Sequence, residues 1–131
     1  MSDLGKVISD GEVIFEEGEI GDCMYVILQG KVDIYHKRDG REIILGACRE
    51  GDFLGEMAVL THEKRSASAR AVGSVRLISI DKKNFLKRVQ EDPTIAFRLV
   101  QGLSQRIRDL NQEVNALNQQ IKNNYDQINL A

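Results

Sequence analysis

The sequence predicts a mainly β domain with flanking helices, followed by one long C-terminal coiled-coil helix. Three observations predict it. Between Gly11 and Ile80, short apolar or alternating runs are separated by glycine-containing turns, a spacing that suits a β-sandwich or barrel. The stretch Gly51 to Ala71 interrupts that rhythm with a glycine-led turn, a brief apolar run and an arginine. From Leu103 to Ile128 apolar residues recur alternately every four and three positions.

The elements follow in order. Met24 to Leu28 is apolar on both faces, as for a strand covered on both sides, whereas Lys31 to Tyr35 alternates. Asp39-Gly40, at the centre of Lys37 to Arg41, suits a hairpin turn with positive φ, and a strand through Ile43, Ile44 and Leu45 should follow. After the interrupted stretch, the small residues Ser66 to Ala71 allow a ligand or a neighbouring strand to lie close. Gly73-Ser74 is expected to turn the chain into a separate strand, Val75 to Ile80. Asp81 is a plausible N-cap for a helix through Phe85, Leu86 and Val89. Pro93, the only proline, suits the first turn of the next helix. The expected division is therefore a β domain over 1–90 and a helix over 91–131.

The helix carries a heptad seam. Ile107, Val114, Ile121 and Ile128 fall at one core position, and Leu103, Leu110, Leu117 and Asn124 at the other. β-Branched residues at a with leucine at d favour a parallel two-stranded pair, so a parallel homodimer is expected. A single amphipathic helix packed on its own domain is the alternative, but a stripe of about 39 Å would overhang a small β domain.

Gly51 to Ala71 also carries the chemistry. Gly55 has no side chain, so a ligand oxygen can approach the backbone there, and the amides of Glu56, Met57 and Ala58 are expected to open a short helix. Arg65 can give an anion two parallel charge-assisted hydrogen bonds, and the hydroxyl and amide of Ser66 can add to them. Glu56 repels a phosphate, so its natural partner is a hydroxyl donor such as a ribose 2′-OH. The pair points to a phosphorylated sugar. Two exposed charges flanking a loop, with Ser66 facing solvent, is the plainer reading of the same residues.

Gly55-Glu56-Met57-Ala58, followed by Arg65-Ser66-Ala67-Ser68, resembles the phosphate-binding cassette of the cyclic-nucleotide-binding domain family, found in the catabolite activator protein and the regulatory subunits of cAMP-dependent kinase. Upstream, Gly18, Gly21, Asp22, Tyr25 and Gly30 match the family's spacing. The resemblance covers Gly11 to Leu110. It implies a double-stranded β-helix, a jelly-roll-like β-roll, with cassette 51–71 and a long helix that closes the pocket and dimerises. It further implies that Glu56 binds the ribose hydroxyl and Arg65 the cyclic phosphate. In the activator branch two residues of the dimer helix hold the base; counted from Pro93 these are Leu110 and Asn111, of which only Asn111 can hydrogen-bond a purine edge. Ser66 is compatible with cAMP in the bacterial branch, while a hydroxyl there goes with cGMP among kinases and channels, so cAMP is favoured over cGMP. The alternatives are a dimerisation scaffold that senses nothing, and the effector domain of a transcription regulator lacking its DNA-binding part.

Other classes are disfavoured. A net charge of −2 gives no reason to expect nucleic acid contact by this chain. The start lacks a signal-peptide core and no run approaches a membrane span, so a cytoplasmic protein without membrane contact is expected. Cys23 and Cys48 are too few, and too far in sequence from His36 and His62, for an iron-sulfur or zinc site, and no metal or cofactor is expected beyond the cyclic nucleotide itself. His62 beside Ser66 and Ser68 lacks a nucleophile elbow and an orienting group. No catalytic residue is assigned, and binding without turnover is expected.

Overall fold

A computed structural model gives the fold of residues 5–130, with side chains described through Ile128. Residues 1–4, part of the start that lacks a signal-peptide core, lie outside the described residues, as does Ala131. The chain divides into two units, one through Ile95 and one from Ala96 onward.

The first unit is an antiparallel sheet built on two long strands. β1 (Lys6–Ile8) and β2 (Val13–Phe15) precede β3 (Cys23–Arg38), β4 (Arg41–Cys48) and β5 (Phe53–Leu54). Helix α1 (Glu56–Leu60), β6 (Ser68–Asp81) and α2 (Lys82–Glu91) complete it. The strand order is β1-β6-β3-β4, with β2 on β6 and β5 on β3. The β3–β4 hairpin turns at Asp39 and Gly40, with φ of 54° and 73°, as that dipeptide predicts. Asp81 caps α2, its carboxylate accepting from the Asn84 amide at 2.8 Å. The core is formed by Ile8, Phe15, Ile27, Val32, Leu54, Ala69, Ala71, Val75 and Leu77, all buried.

Three expectations are corrected. Many short strands were expected, whereas β3 and β6 run for 16 and 14 residues. Gly73-Ser74 does not end a strand, because β6 continues through it. Gly73 adopts a φ of 72°, and Gly30 on β3 one of 103°. A Cβ on Gly30 would come within 2.7 Å of the Ser74 carbonyl, so the two strands bend against each other there and their register shifts on either side of Gln29. The bend keeps the hydrogen-bond ladder where a turn would have ended it. Pro93 stands one residue before the last helix, in a turn where the Asp92 carboxylate accepts from the Thr94 amide and hydroxyl.

That helix is α3 (Thr94–Leu130), and most of it forms the second unit. Leu103 is half-buried, and from Ile107 on the apolar residues of the heptad row are exposed, from 52% at Leu110 and Val114 to 72% at Ile128. Among the described residues no helix is long and apolar enough to cross a membrane.

Candidate functional site

Gly55 adopts a left-handed φ of 74° and precedes α1, which opens at Glu56. Only a residue without a Cβ accepts that conformation cheaply. α1 lies against β3, and burial of Ala58 and Val59 anchors it. Glu56, the first helical residue, is only 1% exposed, and Met57 faces outward. Fixing a carboxylate in the first turn of a helix is electrostatically favourable.

Arg65 is buried as well, 6% exposed. Its Nη1 donates to the Gly55 carbonyl at 2.9 Å and its Nη2 to the Cys23 carbonyl at 2.8 Å. The guanidinium carbon lies 4.4 Å from the centre of the Phe15 ring and 5.8 Å from that of Tyr25. Those two rings stack on each other at 6.0 Å, giving the cation an aromatic floor. Two glycines make the space. A Cβ on Gly21 would lie 2.3 Å from Nη2, and one on Gly55 would lie 2.4 Å from Nη1. The Tyr25 phenol is pushed up to about 12, by burial first and then by its hydrogen bond with Cys23, so it stays neutral at physiological pH.

The backbone of Arg65 is clasped from both sides. Its amide donates to the Glu19 carbonyl at 2.9 Å, and its carbonyl accepts from Gly18 at 2.8 Å. The loop over residues 61–64 is exposed, with His62 at a φ of 57°. Ser66 is exposed and Ala67 buried at the entry to β6. The structure thus gathers Gly55, Glu56, Met57, Ala58, Arg65, Ser66 and Ala67 at one end of the first unit. Asn111 belongs to the second unit, where it is exposed. Gly21, Phe15 and the Cys23 carbonyl received no role from the sequence, although Gly21 and Tyr25 stood in the upstream pattern.

Arg65 meets two neutral carbonyl oxygens in this arrangement, while three of its five N–H donors are not used by those two bonds. A buried guanidinium with donors to spare, beside a buried carboxylate and a glycine backbone, can hold a small anion that also presents hydroxyls.

Comparison with known proteins agrees with this chemistry. Residues 6–92 match the cyclic nucleotide-binding domain. A CRP-like cAMP-activated global transcriptional regulator of Mycobacterium tuberculosis is 34% identical over 102 residues, which are 77% of this chain and 46% of the regulator. The chain thus spans about half the length of that relative. The crystal structure of the Thermus thermophilus catabolite activator protein superposes with a TM-score of 0.74 at 30% identity, covering 86% of this chain and 54% of that one. An EAL enzyme in its cAMP-bound form gives a TM-score of 0.61 at 36% identity, covering 90% and 32% respectively. With the profile matched over most of the first unit and the cassette geometry in place, this chain belongs to the cyclic nucleotide-binding domain family.

Proposed function

We propose that the chain is a cytosolic regulatory module that binds a cyclic nucleotide without turning it over, with cAMP favoured over cGMP. Arg65 and the backbone at Gly55-Glu56 and Ser66-Ala67 take the cyclic phosphate, and Glu56 takes the ribose 2′-hydroxyl. The observation that carries this is the burial of two opposite charges around one glycine. Arg65 reaches the carbonyl of the residue immediately before Glu56, and its two hydrogen bonds go to neutral carbonyl oxygens, so its positive charge can still be balanced by an anion. Membership of the family and likeness to a cAMP-bound structure support the ligand class.

The exposed heptad row supports a parallel homodimer through α3. In this reading ligand occupancy shifts the population of dimer-helix states, by no more than the ligand's differential affinity for them. Regulation of transcription, as in the Mycobacterium tuberculosis relative, is one output compatible with a chain that covers 46% of that protein.

Isothermal titration with cAMP, cGMP, 2′-deoxy-cAMP and 5′-AMP tests the reading. The expected result is saturable binding of cAMP at one site per chain, weaker for cGMP, for the 2′-deoxy analogue and for 5′-AMP. No binding of either cyclic nucleotide at millimolar ligand would reduce the domain to a scaffold. Equal affinity for cAMP and its 2′-deoxy analogue would remove the role given to Glu56.

A further inference from the structure

The segment before β3 grips the cassette at three points. Besides the two hydrogen bonds that clasp the Arg65 backbone, the Glu17 amide donates to Ser68 Oγ at 2.9 Å. Ser66, lying between, is held by a side chain instead. His36 Nε2 lies 2.8 Å from the Ser66 carbonyl oxygen, and because that oxygen only accepts, Nε2 carries the proton. The same nitrogen is 3.2 Å from Glu17 Oε2, and Arg38 Nη1 is 3.1 Å from Glu17 Oε1.

Register explains why a side chain is used. The β3–β6 ladder runs to Tyr35 opposite Ser68 and stops, while β3 continues beside β4 to the Asp39-Gly40 turn. The cassette backbone leaves the sheet at this point. His36 is the next residue of β3, and Arg38, two further on, shares its face of the strand. A trans peptide holds its C=O and the following N–H in one plane, pointing in opposite directions. Fixing the Ser66 carbonyl on one side therefore fixes the Ala67 amide on the other.

We propose that His36, aligned by Glu17 and Arg38, is a positioning residue of the cassette: it locks the Ser66-Ala67 peptide that follows Arg65 and so sets the backbone side of the phosphate site. It rests on the cyclic-nucleotide reading for its effect on affinity, but its effect on the backbone needs no ligand. His36→Ala should speed amide hydrogen exchange at Gly18 and Arg65, measured by NMR, while exchange along the β3–β6 ladder stays at the wild-type rate. The same variant should weaken cAMP and 2′-deoxy-cAMP by the same factor, roughly three- to tenfold for one hydrogen bond, because the lost contact lies on the phosphate side. His36→Gln, whose amide nitrogen can stand where Nε2 stands, should restore both. Wild-type exchange at Gly18 and Arg65 in His36→Ala would overturn the proposal, whether or not the wild type binds a cyclic nucleotide. So would a glutamine variant as impaired as the alanine one. If the wild type binds no cyclic nucleotide while exchange responds as expected, the positioning role stands and the ligand assignment falls.

Discussion

The two units of this chain treat their apolar residues in opposite ways. In the β unit Met24, Ile27, Val32 and Tyr35 are at most 2% exposed, and the charged side chains of Glu56, on α1, and Arg65, in the loop before β6, are buried as well. Along α3 every apolar residue of the heptad row from Ile107 to Ile128 is at least half exposed. The β unit buries a core of its own. The helix past Leu103 shows an apolar stripe, interrupted at Asn124, that its own residues cannot cover, and helices in water draw most of their stability from packing such a stripe. One unit therefore holds the candidate site, and the other carries the apolar row on which the proposed dimer rests.

The largest expected effect strikes the helix. Val114→Glu places a carboxylate at the centre of the proposed seam, and an uncompensated buried charge costs about 3 to 5 kcal/mol. Light scattering should then report a monomer at micromolar concentration, with the unfolding of the β unit unchanged. A wild type that is itself monomeric would break the comparison. Next is Arg65→Ala in the β unit, which should weaken cAMP by about 2 to 5 kcal/mol in titration, with the oligomeric state retained. Unchanged affinity would place the phosphate elsewhere. Gly21→Ala is a finer probe, since Gly21 needs no left-handed φ and the atoms its new methyl meets first are those of the Arg65 guanidinium. Displacing a packed group costs about 1 to 3 kcal/mol, and here the loss should appear in cAMP affinity. Preserved affinity would show that the guanidinium leaves its aromatic floor when ligand binds.

The smallest expected effect is a pH dependence. Folding raises the Tyr25 phenol from 10.0 to about 12, so the fold prefers its neutral form. The contribution to stability is complete below pH 10 and is lost as pH rises towards 12. Wild type should therefore lose more thermal stability between pH 9 and 11 than Tyr25→Phe, which has nothing to titrate. The ring is half-buried, which keeps the difference modest. Parallel curves for the two proteins would assign the alkaline loss to other groups.

Features written in neighbouring residues were legible from the sequence. The Asp39-Gly40 turn, the Asp81 cap and the helix opening at Glu56 each depend on residues a few positions apart. The heptad row was equally plain, because its period lies in the chain itself. What escaped depends on distant partners. A glycine that turns a chain and one that bends a strand both adopt positive φ, and only the strand opposite decides between them, so β6 was divided at Gly73. β1 is three residues long, too short to show a period, and exists because β6 lies beside it. For the site, residue types and spacing led to Glu56 and Arg65. They did not reveal that Gly21 makes room for the guanidinium, since that follows from a contact between residues far apart in sequence. Local sequence specified the parts, and long-range pairing specified their neighbours.

The register of β3 and β6 also governs how this domain comes to exist in time. Their ladder joins Cys23 to Asp81 at one end and Tyr35 to Ser68 at the other, so residues 36–67 form a loop that the ladder must close. Closing a loop of that length before any contact within the ladder rewards it makes folding slow relative to a helix, whose bonds are local. The cassette up to Ala67 lies inside that loop, and Gly21, which lines the guanidinium, lies outside it. No partly folded state lacking the ladder can hold the site together. On the proposed reading, capture of a cyclic nucleotide during refolding is thus a clock for ladder closure, and a nucleotide present from the start should act on the unfolding rate more than on the folding rate.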